Sequence, residues 1–517
     1  MSHHSTQLLV IGGGATGLGV AWDACLRGVE VVVVEQGDLG QGTSGRYHGL
    51  LHSGARYVIS DPSSARACAR ENERLRRLAP HTIEDTGGLF VSTSHDPADF
   101  PDAWLAACRA CGVSVEECSP ASARRDEPLL TPHVARAFRV RDAALDSFDL
   151  LHALAAAVSD AGGTVLLRHR LDRLTPRANG FLAAITAPES TVVHIEAQAV
   201  VNAAGPFAGR VADLAGVSLP LALGRGTMVA MATRLVNTVI NRCKPPSDGD
   251  IIVPVGTVSV LGTTDTPTNS PEDVHIDPWE VDALLDEASI LLPGIESHRA
   301  LRAWAGIRPL YRPPDAPRME TRDLPRAHAL IDHGARGGPQ AFVTIIGGKL
   351  TTYRQMAEET VDLVCRHLGL EAASRTASTP LDPARRDYHR LPLRLERHSR
   401  PAVDDHSPVV CECELVTERE LTDALRSTPT HELDDLRRDL RIGMGPCQAG
   451  FCAYRAAALL TQTQHPQAGL TAVAAFLNER WRGLRPLTWG YALRQHELTR
   501  RIYQDLLDVD AGAAPES

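Results

Sequence analysis

Apolar residues near the start of the chain fall in three short blocks of different period. Leu8–Ile11 is a continuous apolar run of strand length that stops at Gly12. From Ala15 to about Arg27 small and apolar residues recur at helical spacing, and from Glu30 to Glu35 a run of valines is closed by an acid at each end. Strand, helix and strand in this order predict a βαβ unit, with His3 and His4 among the few polar residues ahead of it. The strand-then-glycine pattern returns twice. Ala199–Asn202 runs into Ala203-Ala204-Gly205, and Ala341–Ile346 runs into Gly347-Gly348-Lys349 and a helix through about His367. Three such junctions predict one nucleotide-binding α/β domain interrupted by long insertions.

The remaining pattern sets the expected boundaries. The nucleotide-binding segments are 6–87, 143–219 and 333–372, and the mixed-strand segments 88–142 and 220–332 form an α+β layer over the substrate. Residues 373–408 are rich in Pro, Arg, Asp and His without a hydrophobic period and read as a linker. A cysteine-bearing module at 409–465 follows, then a mainly helical region, 466–517, with Phe476, Leu477 and Trp481 at helical spacing before a disordered tail. A length of 517 residues is compatible with two to four domains.

Composition removes several function classes. The longest aliphatic run, Val31–Val34, falls far short of the roughly 18 residues that span a bilayer, and too few residues precede the first strand for a signal peptide. A cytoplasmic chain is expected. A net charge of −10 argues against a nucleic-acid surface. Only Lys244 and Lys349 are lysines among 53 basic residues, so a single arginine carries little information and each lysine draws notice. Eleven cysteines in a cytoplasmic chain point to thiols or metal ligands before disulfides.

Gly12, Gly14 and Gly17 form G-x-G-x-x-G between strand and helix, and Glu35 ends the next strand. The first glycine permits the tight turn, the second admits pyrophosphate to the backbone, and the third lets helix pack on strand, while Glu35 suits a ribose. This fingerprint fits FAD and NAD(P) equally. The run from Gly40 through HGLLHSGARY to Tyr57, with VVNAAG, INRCKPPSD, GIRPL, IIGGKLTTYR, VCECE, GMGPCQAGFC and FLNERW, resembles the FAD-dependent glycerol-3-phosphate dehydrogenases, in particular the catalytic A subunit of the anaerobic bacterial enzyme. Tyr47 departs from the family pattern, where a smaller polar residue is expected. The resemblance implies a Rossmann-like FAD domain of the glutathione-reductase or D-amino-acid-oxidase type. It implies that Gly12, Gly14, Gly17, Glu35, Thr43, Ser44, Gly205 and the turn Gly348, Lys349, Leu350, Thr351, Thr352 line FAD. The helix starting near Leu350 would offer its positive end to charge on the reduced flavin.

Oxidising glycerol 3-phosphate requires a grip on a dianionic phosphate, a task for guanidinium groups. The resemblance points to Arg56, Arg308 and Arg326 for this grip, with Tyr57, Thr264 and Lys349 as further contacts. A secondary alcohol also needs a base for its hydroxyl proton, and His52 is the first candidate. His48 lies four residues earlier, so the two would share a helical face, one of them packing or bonding flavin carbonyls. Related aerobic enzymes carry another histidine where this chain reads Gly226-Thr227-Met228, so that role does not transfer.

Cys411-x-Cys413 and Cys447-x4-Cys452 supply four thiolates, a soft set suited to zinc or an iron-sulfur cluster. Their spacing resembles the bacterioferritin-associated ferredoxin-like domain, which implies a 2Fe-2S cluster, with structural zinc as the alternative. Cys108-x-x-Cys111 lacks a thioredoxin-like setting and reads as structural. The resemblance as a whole implies oxidation of glycerol 3-phosphate to dihydroxyacetone phosphate. It also implies electrons passing to quinone through B and membrane-associated C subunits, with the chain peripheral on the inner membrane face. The rivals are a dehydrogenase of a 2-hydroxy acid or amine, and a non-catalytic electron-transfer protein carrying flavin and an iron-sulfur cluster.

Overall fold

The computed structural model describes residues 3–313, 319, 321, 324, 326–383, 395–396, 399, 407–427, 432–463, 466–487 and 490–503. The expected βαβ unit is there, with strand His3–Ile11, helix Ala15–Leu26 and strand Val31–Val34. The first strand starts earlier than its apolar run because His3–Thr6 pair with His194–Ala197, so backbone pairing extends it where hydropathy does not. Five parallel strands make the centre of an eight-stranded sheet, in the order Phe342–Gly347, Val192–Asn202, His3–Ile11, Val31–Val34, Thr164–Leu166. An antiparallel pair, Arg170–Arg177 and Gly180–Thr186, extends it. His328–Asp332, assigned above to the substrate layer, instead pairs antiparallel with Phe342–Gly347 and belongs to this sheet. Apolar clusters cover both faces, one including Leu8, Val10 and Val33, the other Leu9, Ile11 and Val200. Burial on both sides is why these strands read as continuous apolar runs.

A nine-stranded, mostly antiparallel sheet forms the second layer, drawn from Gly88–Thr93, Val115–Cys118, Val134–Val140 and strands between Leu221 and Tyr311. Helix Pro278–Leu291 seats Val281, Leu284, Ala288 and Leu291 in its core. On this layer Trp104 stacks on Phe90 at 4.7 Å and approaches Phe138 at 5.2 Å, and its indole N–H donates to the Ala55 carbonyl at 2.9 Å. Cys108, Cys111 and Cys243 fill the same buried cluster. That placement accounts for the CxxC as packing. Because Ala55 adjoins Arg56, we expect Trp104→Ala to cost about 3–5 kcal/mol and to loosen the Arg56 loop. A lowered thermal midpoint together with weaker substrate binding would show it.

The start of the expected linker is packed. Ser374 and Thr376 hydroxyls donate to the buried Asp23 carboxylate, and Leu381 is 3 % exposed against the first core. Most of the rest of the linker, and the tail after Tyr503, lie outside the described residues. The cysteine module is built from strand Val409–Cys411, helices Glu418–Ser427, Leu433–Leu440 and Cys452–Thr463, and it packs with helix Pro466–Leu484. Among the described residues no helix is long and apolar enough to cross a membrane.

Candidate functional site

Residues from all three glycine junctions and from both sheets line one cavity of about 1540 Å³. That exceeds the roughly 300–1,000 Å³ typical of a drug-sized ligand and suits a dinucleotide with a substrate beside it. At its base Gly12 has φ +110°, and a Cβ there would lie 2.5 Å from the Ala203 carbonyl oxygen. Gly14 caps helix Ala15–Leu26 without a side-chain cap, and the first turn carries no acid. Past Ala15, whose N–H goes to Ser44, the first-turn backbone N–H groups stay available to an anion. Ser44 Oγ accepts from Ala15 N–H at 3.1 Å, and Thr43 Oγ1 donates to the Ile307 carbonyl at 2.7 Å, tying the Gly40–Gly45 loop to both layers. Glu35 accepts from Gly13 N–H at 2.7 Å and Gly37 N–H at 2.8 Å. Burial raises its carboxyl above the usual range against those two donors. The glycine turn, open helix end and strand-end acid fit the pyrophosphate and ribose of FAD.

The basic residues gather in the same cavity. Arg56 pairs with Asp250 at 2.7 Å and Arg308 with Asp265 at 2.6 Å, while Arg326 lies 3.4 Å from the other Asp265 oxygen. Arg308 also donates to Thr263 Oγ1 at 2.9 Å and to the Thr264 carbonyl. Burial would lower the Arg56 guanidinium, but Asp250 holds it above its ordinary value; for Arg308 burial outweighs Asp265 and the value falls. The Lys349 ammonium sits 4.1 Å from the Tyr57 ring centre and donates to the Arg326 carbonyl at 3.3 Å. Burial lowers it. A Cβ at Gly226 would fall 2.2 Å from Arg308 Nη2, so this strand position must be bare for the guanidinium to lie where it does.

His48 and His52 meet, but not on a helix. Leu50–Leu51 between them is a strand paired with Ala143–Ala144, and the rings are brought to 5.9 Å across it. His48 Nδ1 accepts from Leu50 N–H at 3.1 Å, which leaves Nε2 as the protonated nitrogen of the neutral ring. Burial, then Arg56 and Arg308, push His48 down to about 3. His52 Nε2 stands 3.5 Å from the Tyr57 hydroxyl, and burial followed by His48, Lys349 and Arg56 holds it well below the ordinary histidine value. Its ring is therefore uncharged at neutral pH.

Three placements differ from expectation. Thr264 is on the cavity wall but fully buried, its hydroxyl donating to Glu280 at 2.7 Å and accepting from Thr227 N–H, so it offers no hydroxyl to a substrate. Thr351 accepts from His52 N–H at 3.1 Å and Thr352 donates to the Lys349 carbonyl at 3.1 Å. Gly205, Gly348, Lys349 and Leu350 line the cavity while Thr351, Thr352 and Gly17 lie behind it. Tyr47, the departure from the family pattern, is a wall residue whose hydroxyl donates to the Leu145 carbonyl at 2.6 Å. Asp250 and Asp265, which set the arginines, were not picked out from the sequence.

In the cysteine module Cys411 lies beside Cys452, and Cys413 beside Cys447, as two pairs. Among the described residues no three ligand-type side chains stand close enough to hold a single ion. The Cys452 thiol, with Gly443 and Glu414 backbone N–H groups, pushes Cys411 down to about 7 against burial. Gly443, Gln448 and Ala449 take positive φ in the loop carrying Cys447. Donors aimed at a sulfur that favours its thiolate fit a cluster held by four cysteines.

Known proteins agree with this architecture. Residues 7–354 match the FAD dependent oxidoreductase family and residues 409–462 the BFD-like [2Fe-2S] binding domain. The A1 subunit of the anaerobic glycerol-3-phosphate dehydrogenase of Haloferax volcanii is 39% identical, covering 99% of this chain and 92% of that protein. The A subunit of the Escherichia coli anaerobic enzyme is also 39% identical, over 98% of this chain and 97% of its own. The structure of glycerol-3-phosphate dehydrogenase from Bacillus halodurans, complexed with FAD, superposes with a TM-score of 0.58 at 20% identity, covering 99% of this chain and 97% of that one. On these matches, the chain belongs to the FAD-dependent oxidoreductase family, in the group of the anaerobic glycerol-3-phosphate dehydrogenase A subunits.

Proposed function

We propose that this chain oxidises sn-glycerol 3-phosphate to dihydroxyacetone phosphate. The observation that carries the reading is the convergence of Arg56, Arg308, Arg326 and Lys349 beside an uncharged His52, in the cavity that holds the glycine turn. These cations outnumber Asp250 and Asp265, the carboxylates that pair with the arginines, which suits a dianionic phosphate better than a single carboxylate. FAD, when bound, supplies the acceptor for the hydride on substrate C2. The protein's part is to grip the phosphate with the arginines and take the C2 hydroxyl proton on a ring nitrogen of His52, whose backbone N–H is held by Thr351 and whose ring faces the Tyr57 hydroxyl. The N-terminal turn at Leu350 faces the same cavity and favours negative charge there.

The two-pair cysteine arrangement supports a 2Fe-2S cluster over zinc as the next electron carrier. B and membrane-associated C subunits with a quinone as final acceptor complete the reading, placing the chain on the inner membrane face through its partners. The domain scheme proposed is an FAD-dependent unit to about residue 372, a linker, the cluster module and a helical tail.

Anaerobic mixing of the purified protein with glycerol 3-phosphate is expected to bleach the flavin, and 2-hydroxyglutarate to leave it oxidised. The opposite result would favour a hydroxy-acid enzyme, and no bleaching by either a passive electron carrier. At saturating substrate the rate should be level through neutral pH and decline on acidification, since His52 protonates only below the ordinary value of 6.5. His52→Asn is expected to slow bleaching about 100-fold. A near-wild-type rate would remove His52 from this role.

A further inference from the structure

The seam between the cysteine module and the flavin-side domain along 433–441 is built of arginine–carboxylate ion pairs and one histidine–carboxylate hydrogen bond. Arg438 meets Asp38 at 2.9 Å, Asp439 meets His152 at 2.6 Å, Arg441 meets Asp146 at 3.0 Å, and Arg168 meets Asp435. Apolar residues of the module pack among themselves in a core that includes Val416, Leu436 and Leu460 and shares no residue with the cores of the FAD sheet. Polar and charged pairs therefore line this seam.

Arg438 and Arg441 both reach two ways, Arg438 to Asp38 and to Asp434 and Asp435 of its own helix, but the module-side partner of Arg441 adjoins a cysteine. Arg441 Nε donates to Glu414 at 3.1 Å, and Glu414 directly follows Cys413. Its Nη1 donates to Asp146 at 3.0 Å, and Asp146 directly follows Leu145, whose carbonyl accepts the Tyr47 hydroxyl on the cavity wall. All three charged side chains are largely buried, with Arg441 at 14%, Asp146 at 7% and Glu414 at 8% exposure. Arg441 ends helix Leu433–Leu440 at φ +61°, a backbone region that favours glycine, and an arginine stands there. Three side chains and the Leu145–Asp146 peptide thus join the first cysteine loop to the wall of the flavin cavity.

We propose that Arg441 is a positioning residue for electron delivery, holding the cysteine loop at a fixed separation from the flavin cavity through Asp146 and Glu414. The inference rests on the reading above that the reduced flavin feeds the cluster. In that step the flavin is oxidised by one electron at a time, releasing its protons to solvent. Each electron reduces the oxidised cluster by one, and a one-electron acceptor such as ferricyanide reoxidises it before the second follows. Without an acceptor the cluster takes one electron and the other stays on the flavin.

The test uses full-length holoprotein carrying Arg441→Gln, Arg441→Lys or Asp146→Asn. The last keeps the Oδ1 position that caps Phe148 and Asp149 N–H and removes only the charge facing Arg441. Flavin is reduced either by glycerol 3-phosphate or by light with a sacrificial donor, and flavin and cluster absorbance are followed together. Arg441→Gln and Asp146→Asn are expected to keep the cluster and bleach at the wild-type rate, yet slow cluster reduction about tenfold, with Arg441→Lys recovering part of the loss. Amide exchange across 433–441 should quicken in Arg441→Gln. Cluster reduction at the wild-type rate in Asp146→Asn and Arg441→Gln would overturn the proposal, and should Arg441→Gln not fold, Asp146→Asn decides it. If substrate fails to bleach wild-type flavin while light still drives the cluster, the substrate reading falls and Arg441 is judged on the light-driven rates.

Discussion

Replacing Arg308 with leucine will lower kcat/KM for flavin bleaching by glycerol 3-phosphate about 1,000-fold, with FAD still bound. The guanidinium is held before any substrate arrives, by Asp265 at 2.6 Å, Thr263 at 2.9 Å and the Thr264 carbonyl, so little side-chain freedom remains to be lost on binding. Removing one partner of a desolvated, hydrogen-bonded charge pair costs about 2–5 kcal/mol, and about 4 kcal/mol corresponds to the stated factor. Arg308→Lys keeps a charge but not the fork that engages two phosphate oxygens, and should recover only part of the loss. Rapid mixing over a range of substrate concentrations reads the effect directly. A change below about tenfold would take Arg308 out of the phosphate grip.

Gly17→Ala is expected to abolish FAD binding. A single added methyl would lie 1.9 Å from the Gly12 carbonyl oxygen and 3.4 Å from the Ala203 side chain. The first of these is backbone, so the turn itself must move, and that turn presents the phosphate-facing N–H groups. Overpacking of this kind costs about 1–3 kcal/mol in stability. The larger effect is on the ligand, because the close approach of backbone to pyrophosphate is what the glycine spacing provides. Purified Gly17→Ala protein should be colourless at flavin wavelengths and stay so after incubation with FAD. Recovery of wild-type flavin content would show that the turn can yield without losing its grip.

What the sequence disclosed and what it hid divide along the range of the physics. The glycine turn, its helix and Glu35 were legible because each rests on local rules of conformation and on a fixed spacing. The arginine cluster was legible only through a resemblance, since arginine is common in this chain and nothing local distinguishes Arg308 from a surface residue. Asp250 and Asp265 went unnoticed for the same reason; their meaning comes from partners 194 and 43 positions away, Arg56 and Arg308. Thr264 was misread because spacing places a residue in a wall without saying where its hydroxyl points, and Glu280, sixteen positions on, claims it. The histidine pair was expected on a helix from a spacing of four, but Leu50 and Leu51 are wanted by a buried strand pairing, which outweighs the period. Polar residues at 374–376 looked like linker until a buried aspartate from the first helix supplied their hydrogen bonds.

Glycine at position 226 extends the demands of the proposed phosphate grip beyond the arginines that make it. The volume beside it is filled by the Arg308 guanidinium, and a Cβ at neighbouring Gly224 would lie 2.6 Å from the Asp265 carboxylate that steadies this arginine. Both positions are in the middle of the long strand Leu221–Met231, whose register with Ala300–Tyr311 sets Gly224 opposite Arg308 itself. An engineer refitting the pocket for a larger anion therefore has no side chain to trim here. The bare strand is already at its smallest, and room has to come from moving the sheet.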